Sequence, residues 1–301
     1  MRRREWLTRL LRAYVRYFPS ALGKQALWGR VIDPYLAWQP HRFVASTVFG
    51  SRIAGDTRDI LQQYVYYFGI WEPDLTGWIS RQLRDGDTFV DVGANVGYYT
   101  LLASGLVGEA GRVVAIEPSP RLFEALGDAV TRNRLTNVRT VNLAVLDRSA
   151  RVALFRGTEH HSGLTTTRAE RGLDFECQVE AAPLPAILSA EEARRARLVK
   201  VDVEGAEWSV VSGMESLLAG GREDLEVIVE IDAALLNHQG KQPSDILALF
   251  ADHGFHAYRL RNDYSPESYI ERQPTLAPER LRGSLAGVSD VIFSRRDAER
   301  L

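Results

Sequence analysis

From residue 88 to the end of the chain, short apolar runs rich in β-forming residues alternate with longer segments of mixed polarity. Most segments between the apolar runs have the 3.6-residue periodicity of amphipathic helices, so the pattern predicts βαβ units with right-handed crossovers. The last two runs have no obvious helix between them, so the last strand is expected to be antiparallel. These features predict an α/β fold with a mostly parallel seven-stranded sheet. The apolar, β-rich runs lie at about 88–92, 112–116, 138–143, 197–203, 225–231, 255–260 and 289–294.

The residues before the first of these runs have a different pattern. Apolar residues recur at helical spacing over about 1–40 and again over about 57–83. Two β-rich pieces at 42–54 indicate a hairpin. We therefore predict a helical and hairpin extension over residues 1–85, which contributes to the substrate site or to contacts between copies of the chain in a homo-oligomer.

The remaining residues, 86–301, are expected to form one α/β domain. One region, at about 150–185, departs from the strand-helix alternation. It contains the β-rich pieces ARVALFRG, GLTTTR and FECQVEAA, which predict antiparallel strands inserted before the fourth main strand.

The N-terminal segment MRRREWLTRLLRAYVRYFPS predicts an amphipathic basic helix. Arginines interrupt the continuous apolar stretch that a secretory signal requires. The chain has no apolar run long enough to predict a membrane-spanning helix. Packing of the apolar stripe against the body of the protein is the favoured interpretation, and peripheral contact with an anionic membrane surface is the alternative.

Composition and charge exclude several classes of protein. A formal net charge of −2 over 301 residues and a pI near 6.3 provide no overall electrostatic attraction to nucleic acid, so no nucleic-acid partner is expected. The single cysteine, Cys177, excludes an internal disulfide framework and a zinc site built from cysteines. We therefore expect a cytoplasmic protein.

The first predicted strand leads into a glycine-containing loop, TFVDVGANVGYYT, at residues 88–100. Gly93 permits a sharp turn, and Gly97 permits close approach of the following helix. A dinucleotide-binding loop has the spacing G-x-G-x-x-G, whereas these two glycines are four residues apart and Asp91 lies two residues before the first. Because a carboxylate repels pyrophosphate, Asp91 favours a cofactor with a positive ammonium or sulfonium group.

An acidic residue also ends the second predicted strand. Glu117 follows the apolar run RVVAI and precedes Pro118. An acid about 20 residues beyond the glycine turn is placed to accept hydrogen bonds from the two hydroxyls of a ribose. Glu117 therefore indicates a nucleoside, and Asp91 bears on the identity of its tail.

These motifs together resemble the FkbM family of S-adenosylmethionine-dependent methyltransferases. The resemblance rests on DVGANVGYYT at 91–100, on Glu117-Pro118 and on LVKVDVEGAEWSVVSGM at 198–214, and it covers about residues 65–235. It implies a class I, Rossmann-like methyltransferase fold, S-adenosylmethionine as cofactor and a hydroxyl oxygen as the usual acceptor.

The resemblance also implies which residues bind the cofactor. Gly93, Asn95 and Gly97 would line the methionine and ribose side, Glu117 the ribose, and Asn142 with Ala144 the adenine. Glu72, in FGIWEPDL, is expected to reach the methionine end if its segment folds over the cofactor, although its role can equally be to start a helix. The cofactor-binding residues expected are Glu72, Asp91, Gly93, Asn95, Gly97, Thr100, Glu117, Pro118, Asn142, Ala144 and Asp202.

Charged residues alternate with valines in the fourth predicted strand, KVDVEGAE. Charges in a central strand are costly unless they are paired or functional. Pairing of Lys200 with Asp202 is one interpretation. The sharper hypothesis makes Asp202 and Glu204 catalytic, because an aliphatic hydroxyl is a poor nucleophile near neutral pH and needs a base or a metal.

Two other sets of residues are candidates for activating the acceptor. Asp202, Glu230 and His238 can form a divalent-metal site at the ends of the fourth and fifth strands, although a metal is not favoured. His161, in the polar run TEHHSG, is a candidate catalytic or acceptor-contacting residue because histidine titrates near neutral pH. An exposed loop position is the alternative for His161.

The whole sequence therefore predicts an O-methyltransferase that acts on a hydroxylated small molecule, such as a sugar, a glycolipid or a secondary metabolite of natural-product biosynthesis. A nicotinamide-dependent oxidoreductase is an alternative, which the glycine spacing and Asp91 oppose. A non-catalytic domain that keeps the cofactor fold for protein contacts is the third interpretation.

Overall fold

The computed structural model describes residues 2–18, 20–157, 165–167, 173–271 and 276–301. The strands are β1 (Arg42–Ser46), β2 (Arg52–Asp56), β3 (Thr88–Val92), β4 (Arg112–Ile116), β5 (Val138–Val141), β6 (Ala144–Val145), β7 (Ala150–Arg156), β8 (Thr165–Thr166), β9 (Asp174–Ala182), β10 (Ala196–Val201), β11 (Glu226–Asp232), β12 (His256–Leu260), β13 (Glu279–Arg280) and β14 (Val288–Ser294). The helices are α1 (Arg2–Tyr17), α2 (Lys24–Leu27), a π-helix (Trp28–Ala37), α3 (Ile60–Tyr67), α4 (Pro73–Gln82), α5 (Tyr98–Val107), α6 (Pro120–Arg132), α7 (Leu184–Ile187), α8 (Ala190–Arg195), α9 (Glu207–Ser212), α10 (Glu215–Gly220), α11 (Ala233–Asn237), α12 (Pro243–Asp252) and α13 (Pro266–Glu271).

The main sheet has the strand order β13-β12-β14-β11-β10-β3-β4-β5. Strands β5, β4, β3, β10 and β11 pair in parallel, and β14 is antiparallel to both β11 and β12. The predicted α/β fold, with a mostly parallel sheet and an antiparallel last strand, is confirmed. An eighth strand, β13, extends the edge beside β12. The sequence did not reveal it because two residues are too few to show a period.

The central strands are buried on both faces because helices cover both sides of the sheet. Every residue of β3 and of β10 is buried. Val90 and Val201 pack into the core on one side of the sheet, and Phe89 and Leu198 pack into the core on the other. Their alternation follows from the two-residue period of a strand. Because these strands are parallel, the carboxyl ends of β3, β4, β10 and β11 lie along one edge of the sheet, where a doubly wound sheet binds ligands.

A second sheet, with the order β6-β9-β7-β8, lies in the chain between β5 and β10. Strands β7 and β9 pair antiparallel from Ala150 opposite Ala181 to Arg156 opposite Asp174. Leu154 and Val179 are buried in a small core between them. This sheet brings the residues around Leu154 to the edge of the main sheet where the site lies.

The first elements of the chain form the predicted helices and hairpin. Strands β1 and β2 pair antiparallel, with Arg42 opposite Asp56 and Ser46 opposite Arg52. Trp28 of the π-helix makes edge contacts with the rings of Tyr64 and Tyr67 in α3. These aromatic contacts give this part of the chain a hydrophobic cluster of its own.

Helix α1 buries only one of its sides. Val15 is buried, whereas Trp6, Leu7, Leu10 and Phe18 are exposed. The expectation that the apolar stripe packs against the protein is therefore wrong for these four residues. The physical reason is that the apolar positions extend around much of the helix, and only the side of Val15 meets the protein. No helix within the described ranges has both the length and the apolar character needed to cross a bilayer.

Candidate active site

A cavity of about 530 Å³ opens at the carboxyl ends of β3, β4, β10 and β11. Of the residues that the sequence singled out, those that line it are Glu72, Gly93, Asn95, Glu117, Pro118, Ala144, Asp202, Glu204 and Glu230. The volume lies within the range of about 300–1,000 Å³ that is usual for small-molecule and cofactor sites. The fold therefore brings together residues that are far apart in the sequence.

Gly93 follows β3 directly and lies against the residue that follows β10, the fourth strand of the α/β pattern. Its φ is +82°, and a Cβ atom added to it would lie 1.8 Å from the carbonyl oxygen of Asp202. The N–H of Asp202 in turn donates to the carbonyl of Val92 at 3.0 Å. Only a residue without a side chain fits this crossing point, which is the physical reason for glycine here.

Glu117 is held by the backbone of the two loops that follow β3 and β4. Its Oε2 accepts a hydrogen bond from the N–H of Asn95 at 2.8 Å, and its Oε1 accepts one from the N–H of Ser119 at 2.9 Å. Burial raises the pKa of Glu117 to about 7, although these two donors act in the opposite direction. The carboxylate is thus fixed in position at the cavity wall and keeps lone pairs for further donors.

The residues Asn142 and Asp91 lie outside the lining of the cavity. The Asn142 amide donates to the carbonyls of Glu117 at 2.8 Å and Pro118 at 2.9 Å, and so holds the loop after β4. Asp91 is buried in β3, where it accepts a hydrogen bond from the Thr100 hydroxyl at 2.6 Å. Burial raises the pKa of Asp91, and the Lys200 charge opposes that rise. Both residues support the wall without contributing to its surface.

Gly97 and Thr100 lie behind the same wall, at the start of α5. Gly97 has a φ of +91°, and a Cβ there would approach Leu126 Cδ1 to 2.8 Å. This close contact lets α5 pack against α6, as the sequence predicted for a helix that follows a glycine turn. Gly97 is therefore accounted for by packing.

Three carboxylates meet at the ends of β10 and β11. Asp202, Glu204 and Glu230 each have an oxygen within 4.8 Å of the others. Lys200 donates to Asp202 Oδ2 at 2.6 Å, so the pair that the sequence suggested does form. The metal site predicted from the sequence consisted of Asp202, Glu230 and His238. Among the described residues, the third member of the group is Glu204 and not His238. Helix α11 carries His238 away from the strand end to an exposed position.

Burial and the negative charge of Asp202 raise the pKa values of Glu204 and Glu230. The negative charge of Asp202 is the largest cause that raises the pKa of Glu230, and burial adds to it. Burial raises the pKa of Glu204 to about 8, and the charge of Asp202 contributes. A strongly raised carboxyl pKa in a cleft is typical of a residue that exchanges protons or binds a cation.

Glu72 joins the early part of the chain to its C-terminal part. It accepts hydrogen bonds from the hydroxyls of Tyr264, at 2.7 Å, and Tyr99, and its own N–H donates to Tyr269 Oη at 3.1 Å. Burial raises the pKa of Glu72, and Lys200 opposes the rise. The sequence did not single out Tyr264. It lies in a segment without a motif, 192 residues from Glu72, so no local signal marked it.

Three residues in the cavity wall have left-handed backbone conformations that are uncommon outside glycine. They are Glu72 with φ +42°, Asn95 with φ +51° and Glu204 with φ +51°. Such conformations cost about 1–3 kcal/mol each and persist where the surrounding structure enforces them. Their concentration in one wall is a further mark of a functional site.

One of the candidate residues, His161, lies outside the described residues. Nearby in the sequence, Leu154 and Thr167 line the cavity. Trp71 also lines it, and its ring lies 5.4 Å from that of Tyr264. The second sheet and the Trp71–Tyr264 pair thus form parts of the wall that the motifs did not predict.

The donor set fits a nucleoside with a cationic tail. One wall offers a fixed carboxylate, Glu117, and the other carries the carboxylates of Asp202, Glu204, Glu230 and Glu72. Carboxylates accept hydrogen bonds from vicinal hydroxyls and attract ammonium or sulfonium groups. The same surroundings repel a pyrophosphate.

The sequence matches the family model described as the methyltransferase FkbM domain over residues 91–257. This match covers more than half of the chain and includes the carboxyl end of β3 and all of β4, β10 and β11, whose ends form the cavity.

Individual relatives are more distant. The 31-O-demethyl-FK506 methyltransferase FkbM of Streptomyces tacrolimicus is 27% identical over 203 residues, which are 58% of this chain and 74% of the relative. The protein-L-isoaspartate O-methyltransferase of Methanococcus maripaludis is 27% identical over 115 residues, which are 37% of this chain and 51% of the relative. Among solved structures, an S-adenosylmethionine-dependent O-methyltransferase from Thermotoga maritima matches with a TM-score of 0.42 and 12% identity, covering 85% of this chain and 79% of that one.

Proposed function

Because the chain belongs to the FkbM methyltransferase family, and is therefore an S-adenosylmethionine-dependent methyltransferase, we propose that it methylates a hydroxyl oxygen of a small molecule. A sugar, a glycolipid or a secondary metabolite is the proposed class of acceptor. The observation that carries this proposal is that Asp202 and Glu204 line the same cavity as Glu117 and Asn95. Groups suited to proton transfer therefore lie beside groups suited to hold a nucleoside.

The cofactor-binding side of the proposed site is formed by the ends of β3 and β4. Glu117 accepts hydrogen bonds from the ribose hydroxyls, and Gly93 with Asn95 lines the methionine side. Ala144, which lines the cavity as Pro118 does, borders the adenine. Asp91 and Thr100 act through the wall, because their hydrogen bond stiffens the strand end from which the loop departs.

The reacting side is formed by the ends of β10 and β11. S-adenosylmethionine, when bound, supplies an electrophilic methyl carbon whose bond to sulfur breaks with the electron pair remaining on sulfur. Asp202 takes the proton of the acceptor hydroxyl, and its hydrogen bond from Lys200 fixes the orientation of the carboxylate. Glu204 has an oxygen within 4.8 Å of one of Asp202 and lies beside this base. Glu72, Tyr264 and Trp71 line the same cavity.

A divalent cation is a second candidate for activating the acceptor. Three carboxylates with oxygens within 4.8 Å of one another match the oxygen ligands that Mg²⁺ and Ca²⁺ prefer. Asp202, Glu204 and Glu230 would hold the ion, which would lower the pKa of an acceptor hydroxyl as a Lewis acid. Turnover measured after thorough chelation, with and without added Mg²⁺, separates the two candidates. Full activity after chelation would exclude the divalent cation as the group that activates the acceptor.

Two measurements test the proposed function. Calorimetry with S-adenosylhomocysteine and with NAD is expected to show binding of the first and not of the second, and a preference for NAD would contradict the proposal. Incubation of hydroxylated acceptors or cell extracts with methyl-labelled cofactor, followed by mass spectrometry, is expected to find the label on oxygen. A product labelled only on nitrogen or carbon would be consistent with methyltransferase activity but would contradict the proposal that the acceptor atom is a hydroxyl oxygen.

A further inference from the structure

Helix α1 presents an apolar surface to solvent along most of its length. Trp6 is 64% exposed and Tyr17 is 68% exposed, and Leu10 between them is also exposed. At 100° per residue, Trp6, Leu10 and Tyr17 project within about 40° of one another. The opposite side is occupied, because Val15 is buried and Arg12 Nε donates to the carbonyl of Tyr66 at 2.6 Å. The outward orientation of the apolar stripe is therefore fixed.

The exposed stripe continues beyond the end of the helix. The rings of Tyr14 and Phe18 are stacked with their centroids 5.0 Å apart. The Tyr14 hydroxyl donates to the carbonyl of Leu22 at 2.6 Å, and Leu22 is 80% exposed. Soluble monomers rarely expose apolar surface in such a contiguous arrangement, so the surface indicates a partner. We call these residues the α1 stripe: Trp6, Leu7, Leu10, Tyr14, Tyr17, Phe18 and Leu22.

The charge of the same segment selects the kind of partner. Helix α1 contains six arginines and one glutamate, whereas the whole chain has a formal charge of −2. Arg12 and Arg16 are turned to the protein, where they donate to the carbonyls of Tyr66 and Ser46. The other four arginines and the glutamate give a formal charge of +3. Two copies that met through this helix would bring like charges together, which opposes association. An anionic lipid surface attracts these positive charges instead. Basic residues beside an apolar stripe with tryptophan and tyrosine are typical of interfacial helices.

We propose that α1 binds the protein to the surface of an anionic lipid bilayer. The α1 stripe enters the region between the headgroups and the acyl chains, with Trp6 and Tyr17 at the level where aromatic rings are favoured. Exposed Arg9 pairs with lipid phosphates along the side of the stripe. The helix lies in the plane of the surface and remains attached to the protein through Arg12 and Val15.

The full-length chain can be tested by sedimentation with vesicles. We expect it to pellet with vesicles of phosphatidylglycerol and phosphatidylcholine, to remain in solution with phosphatidylcholine alone, and to be released by added salt. The double variant Trp6→Ser, Leu10→Ser is expected to lose at least about tenfold in vesicle affinity, and Arg9→Glu to lose less. Leu276→Ser is the matched control, because Leu276 is 52% exposed and lies outside the α1 stripe.

Binding of S-adenosylhomocysteine shows whether each variant is folded, since neither Trp6 nor Leu10 lines the cavity. Absence of a preference for anionic vesicles, or equal binding by the wild-type chain and the double variant, would overturn the proposal. Ultracentrifugation without lipid provides a further arm. A dimer that the double substitution dissociates would identify a second copy of the chain as the partner and would overturn it too.

Discussion

The two sides of the cavity hold their carboxylates in different ways. On the side of β3 and β4, each oxygen of Glu117 accepts a hydrogen bond from a backbone N–H. On the side of β10 and β11, Glu204 and Glu230 lie near Asp202. Burial and then the charge of Asp202 raise the pKa of Glu204, and the charge of Asp202 and then burial raise the pKa of Glu230. Lys200 contacts only the Asp202 carboxylate of these three at hydrogen-bond distance.

The difference indicates a division of labour. A carboxylate fixed by the backbone loses little freedom when a ligand binds, so it is suited to affinity. Carboxylates that repel one another hold protons more tightly, so they are suited to accept a proton or to bind a cation. Substitutions on the first side should therefore change cofactor affinity, and substitutions on the second should change turnover.

The largest expected effect is that of Asp202→Asn. Asparagine keeps the shape of the side chain and can still accept a hydrogen bond from Lys200, but it is not a base. We expect turnover to fall by about 10²–10⁴-fold, as for the loss of a general base, with cofactor affinity nearly unchanged. Steady-state kinetics and calorimetry with S-adenosylhomocysteine measure the two quantities. Asp128→Asn, on the exposed side of α6, is the control.

An equal loss of cofactor affinity and turnover in Asp202→Asn would break the comparison, because it would make Asp202 a binding residue like Glu117.

Glu117→Ala should produce the opposite result. Removal of the carboxylate abolishes its proposed bonds to the ribose and leaves the N–H groups of Asn95 and Ser119 without this acceptor. Hydrogen bonds to charged groups contribute about 1.5–3 kcal/mol, so cofactor affinity should fall by about 10–150-fold. Glu124→Ala, on the exposed side of α6, controls for the loss of a carboxylate. Unchanged affinity in Glu117→Ala would contradict the proposed ribose contact.

Gly93→Ala tests whether the two sides must meet at the crossing of β3 and β10. The added Cβ would lie 1.8 Å from the carbonyl of Asp202, so the loop or the strand end must shift. We expect a loss of about 1–3 kcal/mol in the free energy of unfolding, together with weaker cofactor binding. Gly127→Ala is the control, because a Cβ there meets nothing within 4 Å. Equal stability of the two variants in denaturant titrations would remove the steric argument.

The pH dependence of stability gives the smallest expected effect. The pKa of Glu204 is about 8, against an ordinary 4.5, so between these values the folded chain keeps a proton that the unfolded chain has lost. This carboxyl therefore lowers stability as the pH rises from about 4.5 to about 8, and the full loss is present above pH 8. Glu204→Gln removes the loss. We expect its Tm to rise by about 2–4 °C at high pH and to be unchanged at about pH 4, below the pKa of the unfolded carboxyl.

The matched control for this measurement is Glu117→Gln. Burial also raises the pKa of Glu117, to about 7, but its two oxygens accept backbone N–H groups that a glutamine amide nitrogen cannot serve. No gain in Tm is expected for Glu117→Gln. Thermal unfolding of both variants without ligand measures the two Tm values. An equal gain in both would show that burial alone determines how the carboxyls on the two sides of the cavity affect stability.

Much of the fold and part of the site could be predicted from local sequence. The runs around Val90, Val114 and Val201 have the period of strands, and the helices between them have their own period, so the parallel sheet followed. Gly93 and Glu117 end two of these runs, so their position at the edge of the sheet followed too. Glu230 was placed at the same edge for the same reason, but its partner was misjudged, because helix α11 begins at once after β11 and carries His238 away.

By itself, the sequence determined which segments become strands and helices, because burial of apolar side chains has a period that a few consecutive residues already show. It also determined the two loop ends with Gly93 and Glu117, since both follow a strand directly. Only the tertiary structure decided that Tyr264 meets Glu72 and that Glu204 joins Asp202 and Glu230. It also decided which side of α1 faces solvent. These contacts depend on how elements distant in the sequence pack against one another. The amphipathic period of a helix or strand shows that one face is apolar, but it does not determine which element will pack against that face.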